Sequence, residues 1–271
     1  MYSILEHYLS TNHILMIGMI VTFILTFFLL EHPFSFLPSD QGRAFAVNGS
    51  LSKGKLRGVG FIFVLCFLIS SVLFLPLDVE YVIYGILLFA MMISGYLDDA
   101  SKTPWNEYKK GLIDLVISVV AVLTYMNFNS TTICFGSDEI VIPKALFLIL
   151  GVILIWVSVN VTNCTDGVDG LCASLCSVTL LAFGVLFAPI LQKYAMANFL
   201  FLSVLFAYLY FNSSPSSMLM GDAGSRALGF YIAVIALKST HPFIYLLLAA
   251  VMIVDGGIGL VKIALKRFLK I

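Results

Sequence analysis

Nine apolar runs, most of them long enough to span a membrane, follow one another along this chain, at about 13–31, 58–77, 80–97, 112–126, 144–161, 171–189, 196–212, 226–240 and 243–262. About 20 apolar residues in a helix satisfy their own backbone and cover the hydrocarbon core of a bilayer. A chain built from such runs is expected to be an all-α polytopic membrane protein. The runs at 112–126 and 226–240 are short, which predicts tilt or amphipathic turns at their ends. Composition agrees: 61% of the 271 residues are hydrophobic and 11% are charged, against about 25% charged in soluble domains. A transmembrane β-barrel would show alternating segments of about ten residues instead. Net charge is zero, so no pull toward nucleic acid arises and no such partner is expected. No repeat, linker or cleavable signal is evident, and residues 1–271 read as one integral-membrane domain. The cysteines (Cys66, Cys134, Cys164, Cys172, Cys176) lack metal-ligand spacing and read as small buried residues.

Lysine and arginine placement orients the runs. One set of connections holds Arg43, Lys53, Lys55, Arg57, Lys102, Lys109, Lys110, Arg226, Lys262, Lys266, Arg267 and Lys270, whereas the other holds Lys144, Lys193 and Lys238. Twelve against three places the N-terminus outside and the C-terminus of this chain inside. On that map Asp98, Asp99, Asp166, Asp169 and Asp222 all fall at the inner face. Three separate connections each bring carboxylates to helix ends.

The first corner is Gly95-Tyr-Leu-Asp-Asp-Ala-Ser-Lys102. Two acids at a helix C-terminus oppose the macrodipole, which calls for a compensating cation, Mg²⁺ or Lys102; a solvated loop start is the plain alternative. The second is Asn160-Val-Thr-Asn-Cys-Thr-Asp-Gly-Val-Asp-Gly-Leu171. In a helix Asn160 and Asn163 share a face, and Asp169 is placed to cap the next run. Capping explains one acid of the four polar groups; amides and carboxylates together suit a polar ligand or a hard cation. The third is Met220-Gly-Asp-Ala-Gly-Ser-Arg-Ala-Leu-Gly229. A glycine-flanked Asp222 leads into a helix N-terminus with Arg226 beside it, a setting for Mg²⁺ held against phosphate. Asn212 is placed to add an amide. The first inner loop, with Lys53, Lys55 and Arg57, suits a diphosphate or an anionic lipid head, and inner-side charge bias alone explains it equally well. Asp255 lies within the last run beside two glycines and is a pocket candidate. The histidines have no partner at catalytic spacing.

Asp98-Asp99, Asn163-Cys-Thr-Asp-Gly-Val-Asp-Gly-Leu171 and Met220-Gly-Asp-Ala-Gly-Ser225, in that order, resemble the signatures of the polyprenyl-phosphate N-acetylhexosamine-1-phosphate transferases. The resemblance runs from about residue 37 to 262 and is greatest to the bacterial phospho-N-acetylmuramoyl-pentapeptide transferases. It implies ten helices, a Mg²⁺ cofactor, and transfer of a sugar-1-phosphate from UDP-N-acetylmuramoyl-pentapeptide to undecaprenyl phosphate, giving lipid I and UMP at the inner face of the bacterial cell membrane. Carried over, Asp98, Asp99 and Asp222 are catalytic, with Asp222 and Asp166 at the metal. Lys53, Lys102, Asn163, Asp166, Asp169 and Asn212 contact substrate. A homodimer is the family's common assembly.

Several positions depart from the pattern. Lys55-Leu56-Arg57 stands where Thr-Pro-Thr is common, Leu219 where an aromatic is common, Asp114 where lysine is, and Lys262 where glutamine is. The chain stops at Ile271 before the family's histidine-rich motif and tenth helix, so the resemblance implies an incomplete chain. The alternatives are a UDP-N-acetylglucosamine transferase of the same family, a non-catalytic membrane scaffold, and a secondary transporter. The last would place its acids near the bilayer midplane.

Overall fold

The computed structural model describes residues 1–32, 34–40, 42, 52–101, 103, 105–136 and 138–268, with 263, 264 and 266–268 described by backbone alone. A short α1 (Tyr2–Leu5) precedes α2 (Thr11–Glu31), α3 (Gly60–Phe74), α4 (Val79–Asp99) and α5 (Glu107–Phe128). A hairpin of β1 (Thr132–Phe135) and β2 (Asp138–Val141) then leads to α6 (Lys144–Thr165) and α7 (Leu171–Leu186). The rest is α8 (Ala188–Leu191), α9 (Lys193–Asn212), α10 (Gly221–Lys238), α11 (Ile244–Leu248) and α12 (Ala250–Phe268). Five of these, α2, α4, α5, α6 and α9, are long and apolar enough to cross a membrane, and α3 and α7 are shorter apolar helices. The chain is an all-α polytopic membrane protein.

Helices occupy all nine expected runs, with two differences. The last run is broken at Ala249, so that α11 ends before α12 begins. The hairpin was not foreseen. Its β-branched residues Thr132, Ile133, Ile140 and Val141 favour extended backbone, and they pair antiparallel with Thr132 opposite Val141. The N–H of Cys134 also donates to the Thr240 carbonyl at 2.8 Å, which fastens the hairpin to the end of α10.

The centre of the bundle is α10, buried at every residue from Gly221 to Leu237. Burial of apolar surface drives association weakly among helices in lipid, so close backbone approach must do more of the work. The sequence supplies it with small residues on every side of α10. A side chain at Gly60 of α3 would strike the backbone of Gly224, and one at Gly95 of α4 would strike the Asp222 carbonyl. On a third side, a Cβ at Gly229 would lie 2.6 Å from the Ser158 carbonyl oxygen of α6, and the Ser158 hydroxyl donates to the Gly229 carbonyl at 2.7 Å. Around this hub, α2 packs on α9 and α3, while α12 lays Gly256 against the Val161 carbonyl of α6.

The helices alternate in direction. One end of the bundle collects the starts of α3, α5, α7 and α10 and the ends of α4, α6 and α9. The opposite end is closed by Glu80 of α4, which accepts from Lys238 of α10 at 2.9 and 3.1 Å and from Asn129 at 2.7 Å. Lys238 also donates to the Asn129 amide oxygen at 2.7 Å. Truncating one partner of an enclosed ion pair leaves the other charge poorly compensated. Glu80→Ala is therefore expected to destabilise the protein by about 3 kcal/mol, read as a lowered melting midpoint in detergent. An unchanged midpoint would mean that water, not Glu80, solvates Lys238.

Candidate functional site

At the end of α4, Asp98 and Asp99 are both enclosed but take different partners. Asp99 turns inward, with its side chain fully enclosed. Its Oδ1 accepts from Arg57 Nε at 2.8 Å and its Oδ2 from the Ala223 N–H at 3.1 Å, at the start of α10. Gly221, at φ +65°, makes room for that carboxylate. Asp98 accepts from the Trp105 N–H at 2.7 Å and pairs with Lys110 of α5.

Asp222, in the first turn of α10, joins these two arms. Its Oδ2 lies 3.1 Å from Lys110 Nζ and its Oδ1 lies 3.4 Å from Arg57 Nη2. Arg57 also holds Asp40 at 3.2 Å, and Asp40 is enclosed by its loop, accepting from Ser52 at 2.5 Å and from the Gly42 N–H at 3.1 Å. Burial works against the charge of Arg57; the carboxylates of Asp99, Asp222 and Asp40 outweigh it and hold the guanidinium above its usual range. Three acidic positions distant in sequence thus meet across two cations.

The charge count of this cluster bears on cofactors. Asp40, Asp98, Asp99 and Asp222 bring four carboxyl groups to it, while Arg57 and Lys110 bring two cations. The carboxyl groups outnumber the cations, in surroundings that screen charge poorly. Carboxylate oxygens are also the donors that a hard divalent cation prefers. The residues therefore fit such an ion in charge and chemistry. Among the described residues no three His, Cys, Asp or Glu side chains form a ready cage, because Arg57 and Lys110 stand between the acids.

The second acidic corner forms an adjoining wall. As expected, α6 runs through Asn160 and Asn163, but the two asparagines part company. Asn163 donates to Ser225 of α10 at 2.9 Å, whereas Asn160 bonds back to the Trp156 carbonyl of its own helix at 2.8 Å. Asp166 is buried as the C-cap of α6. Asp169 does not cap α7, whose N-cap is Gly170 at φ +76° without a side-chain bond. Instead Asp169 accepts from the Ser216 N–H at 2.9 Å and faces Lys55 at 3.6 Å. Asn212 spends its amide on backbone, accepting from the Gly170 N–H at 3.0 Å and donating to the Met218 carbonyl at 2.9 Å. It fixes two connections against each other.

Partial burial raises the Asp169 carboxyl, but the Ser216 N–H and hydroxyl and the charge of Lys55 outweigh it and hold the group below the usual carboxylate range. A carboxyl depressed on folding stabilises above its unfolded value and loses that contribution as pH falls through the folded one. Asp169→Asn is expected to remove under about 1 kcal/mol at neutral pH, since the group is well solvated. The deficit should vanish in acid, as read by melting midpoints across pH.

Other expected residues stand differently. Arg226, expected beside an anion at the helix start, is buried and bonded to Asp114 of α5 at 2.5 Å. Lys53 is exposed, and no described ion pair joins it to this cluster. Asp255 lies on the exposed side of α12. Lys102 and Arg43 lie outside the described residues. Sequence reasoning missed Asp40, read Lys110 as a marker of sidedness, and gave Arg57 to a diphosphate or lipid head without its carboxylate partners. The available signal for Lys110 was its spacing of four from Asp114 on one helix, which gives two charges on one face.

The glycosyl transferase family 4 model matches residues 81–240. A protein of Treponema pallidum (strain Nichols) named phospho-N-acetylmuramoyl-pentapeptide-transferase is 36% identical over 274 residues, spanning 93% of this chain and 76% of its own length. Proteins of the same name from Wolinella succinogenes and Halalkalibacterium halodurans are 30% and 26% identical, covering 78% and 90% of this chain and 68% and 81% of their own.

Proposed function

This chain belongs to glycosyl transferase family 4, among the phospho-N-acetylmuramoyl-pentapeptide-transferases, and we propose that it moves phospho-N-acetylmuramoyl-pentapeptide from its UDP-activated form to undecaprenyl phosphate. The products are lipid I and UMP, and the reaction takes place at the cytoplasmic face. The observation that carries this reading is the cluster itself: carboxylates from α4, α10 and the first inner loop, interleaved with Arg57 and Lys110, at the bundle end rich in basic residues. A soluble diphosphate substrate needs cations at the membrane surface, and a lipid phosphate reaches that depth from the side.

The chemistry is an in-line displacement. An ionised oxygen of the lipid phosphate attacks the sugar-bearing phosphorus, the bond from that phosphorus to the UMP oxygen breaks, and UMP leaves with the electron pair. Mg²⁺, when bound, supplies positive charge against the diphosphate and the departing phosphate. Asp222 would hold it, joined by Asp166. Lys110 and Arg57 are partly exposed, at 21% and 29% of their side chains, and so are placed to meet phosphate oxygens. Lys55, beside Asp169 and Ser216, extends the same basic wall.

Asp98 and Asp99 have different work. The acceptor phosphate is already ionised near neutral pH, so it needs orientation more than deprotonation. Asp99 has both oxygens engaged and its side chain enclosed, and Asp98 is 5% exposed. That geometry favours positioning of the cations and the acceptor in a single displacement over attack by a carboxylate on phosphorus.

The decisive measurement is UMP release by the purified protein with undecaprenyl phosphate and Mg²⁺. UDP-N-acetylmuramoyl-pentapeptide should be consumed and UDP-N-acetylglucosamine left intact. Consumption of the second alone would reassign the substrate within the family, and no release from either would overturn the enzyme reading.

A further inference from the structure

One rung below the site lies an arrangement that the reaction as described does not use. On α5, Lys110 and Asp114 are four residues apart; on α10, Asp222 and Arg226 are four apart. Each pair shares a helix face. The two helices meet so that Lys110 pairs with Asp222 and Asp114 pairs with Arg226, two rungs of opposite polarity. The lower rung is 3% exposed on both sides. Arg226 is an incomplete partner there. Its Nη2 donates to Asp114 Oδ1 at 2.5 Å, while its buried Nη1 has no acceptor among the described residues. A guanidinium usually meets a carboxylate with two parallel bonds, and an unspent charged donor away from water is costly. Arg226 is also the third positive charge bearing on Asp222, after Lys110 and Arg57.

We propose that Arg226 is a positioning residue for Asp222: when a polyphosphate engages Lys110, the free Nη1 takes the Asp222 oxygen that Lys110 releases. Lys110 is the reachable cation and Arg226 the enclosed one, so only the first can turn to a ligand. Without a substitute, releasing Lys110 would leave Asp222 with Arg57 alone, at 3.4 Å, and its other oxygen without a cation. Asp114 fixes the guanidinium in place for that exchange. The inference rests on reading the cluster as a polyphosphate site and not on turnover.

The test is calorimetric binding of uridine diphosphate to the full chain in detergent, with melting midpoints alongside. Asp114→Leu with Arg226→Met replaces the rung by apolar packing, a change that buried ion pairs tolerate in stability. It should melt near wild type yet bind uridine diphosphate at least about tenfold more weakly, the loss of one charge-assisted bond. Exchanging the charges, Asp114→Arg with Arg226→Asp, should keep the rung but not restore binding. Arg226→Lys should retain most of it. A merely structural rung predicts the reverse, and wild-type affinity in the apolar or exchanged pair would overturn the proposal. So would a wild-type chain that binds no uridine diphosphate. If binding depends on Arg226 while no UMP is ever released, the transferase reading falls and this inference stands.

Discussion

Replacing Asp222 with asparagine should lower UMP release by about 10²–10³-fold, the range seen when one preorganised electrostatic group is removed from an active site. The substitution keeps shape and an acceptor oxygen and removes one charge at the junction of the two arms. Lys110 retains Asp98, and Arg57 retains Asp99 and Asp40, so the local fold has other holds. The expected signature is a near-normal melting midpoint with turnover lost and no longer responsive to added Mg²⁺. Turnover within tenfold of wild type would remove Asp222 from the centre of the site. Asp99→Asn is less clean, because Asp99 also accepts from the Ala223 N–H and so holds the start of α10.

The second large effect is expected from a methyl group. Gly221→Ala meets two obstacles at once. Its φ of +65° is a left-handed conformation, which costs an ordinary residue about 1–2 kcal/mol. The new Cβ would also run into Asp99 Oδ2 and approach the Gly58 nitrogen to 2.9 Å. Either the Asp99 carboxylate leaves its bonds or the start of α10 shifts away from α4. A total loss of about 3 kcal/mol follows from adding a disrupted charged hydrogen bond to the backbone term, with turnover lost as well. Gly111→Ala is the control: that glycine is helical with nothing near its would-be Cβ, and alanine there should be neutral or slightly stabilising. Equal melting of the two variants would contradict the crowding at Gly221.

Much of this was legible in the sequence because hydropathy and ordered acidic motifs are local signals. Run lengths located the apolar helices, five of them long enough to cross a membrane, and sidedness gathered Asp98, Asp99, Asp166, Asp169 and Asp222 at one end. What stayed hidden depends on pairing. Lysine and arginine collect on one side of any such protein, so nothing local marks Arg57 and Lys110 as the groups between the acids. Asp40 gave no signal, since its role appears only in its pairing with Arg57, seventeen positions on. Asp114 was read as a departure from a family pattern; its partner Arg226 is 112 positions away. The capping role given to Asp169 failed because Gly170 adopts a left-handed conformation that starts α7 without it.

The place of α10 has a consequence for how the protein is assembled. It follows α3, α4 and α6 in the chain, yet Gly60 of α3 and Gly95 of α4 lie against its backbone, and its own Gly229 lies against Ser158 of α6. Those helices are made before the surface they are shaped to meet, and Asp98, Asp99, Arg57 and Lys110 before Asp222. The bundle is therefore keyed by a late piece. The charge cluster and the helix packing are completed by the same stretch, Gly221 to Lys238.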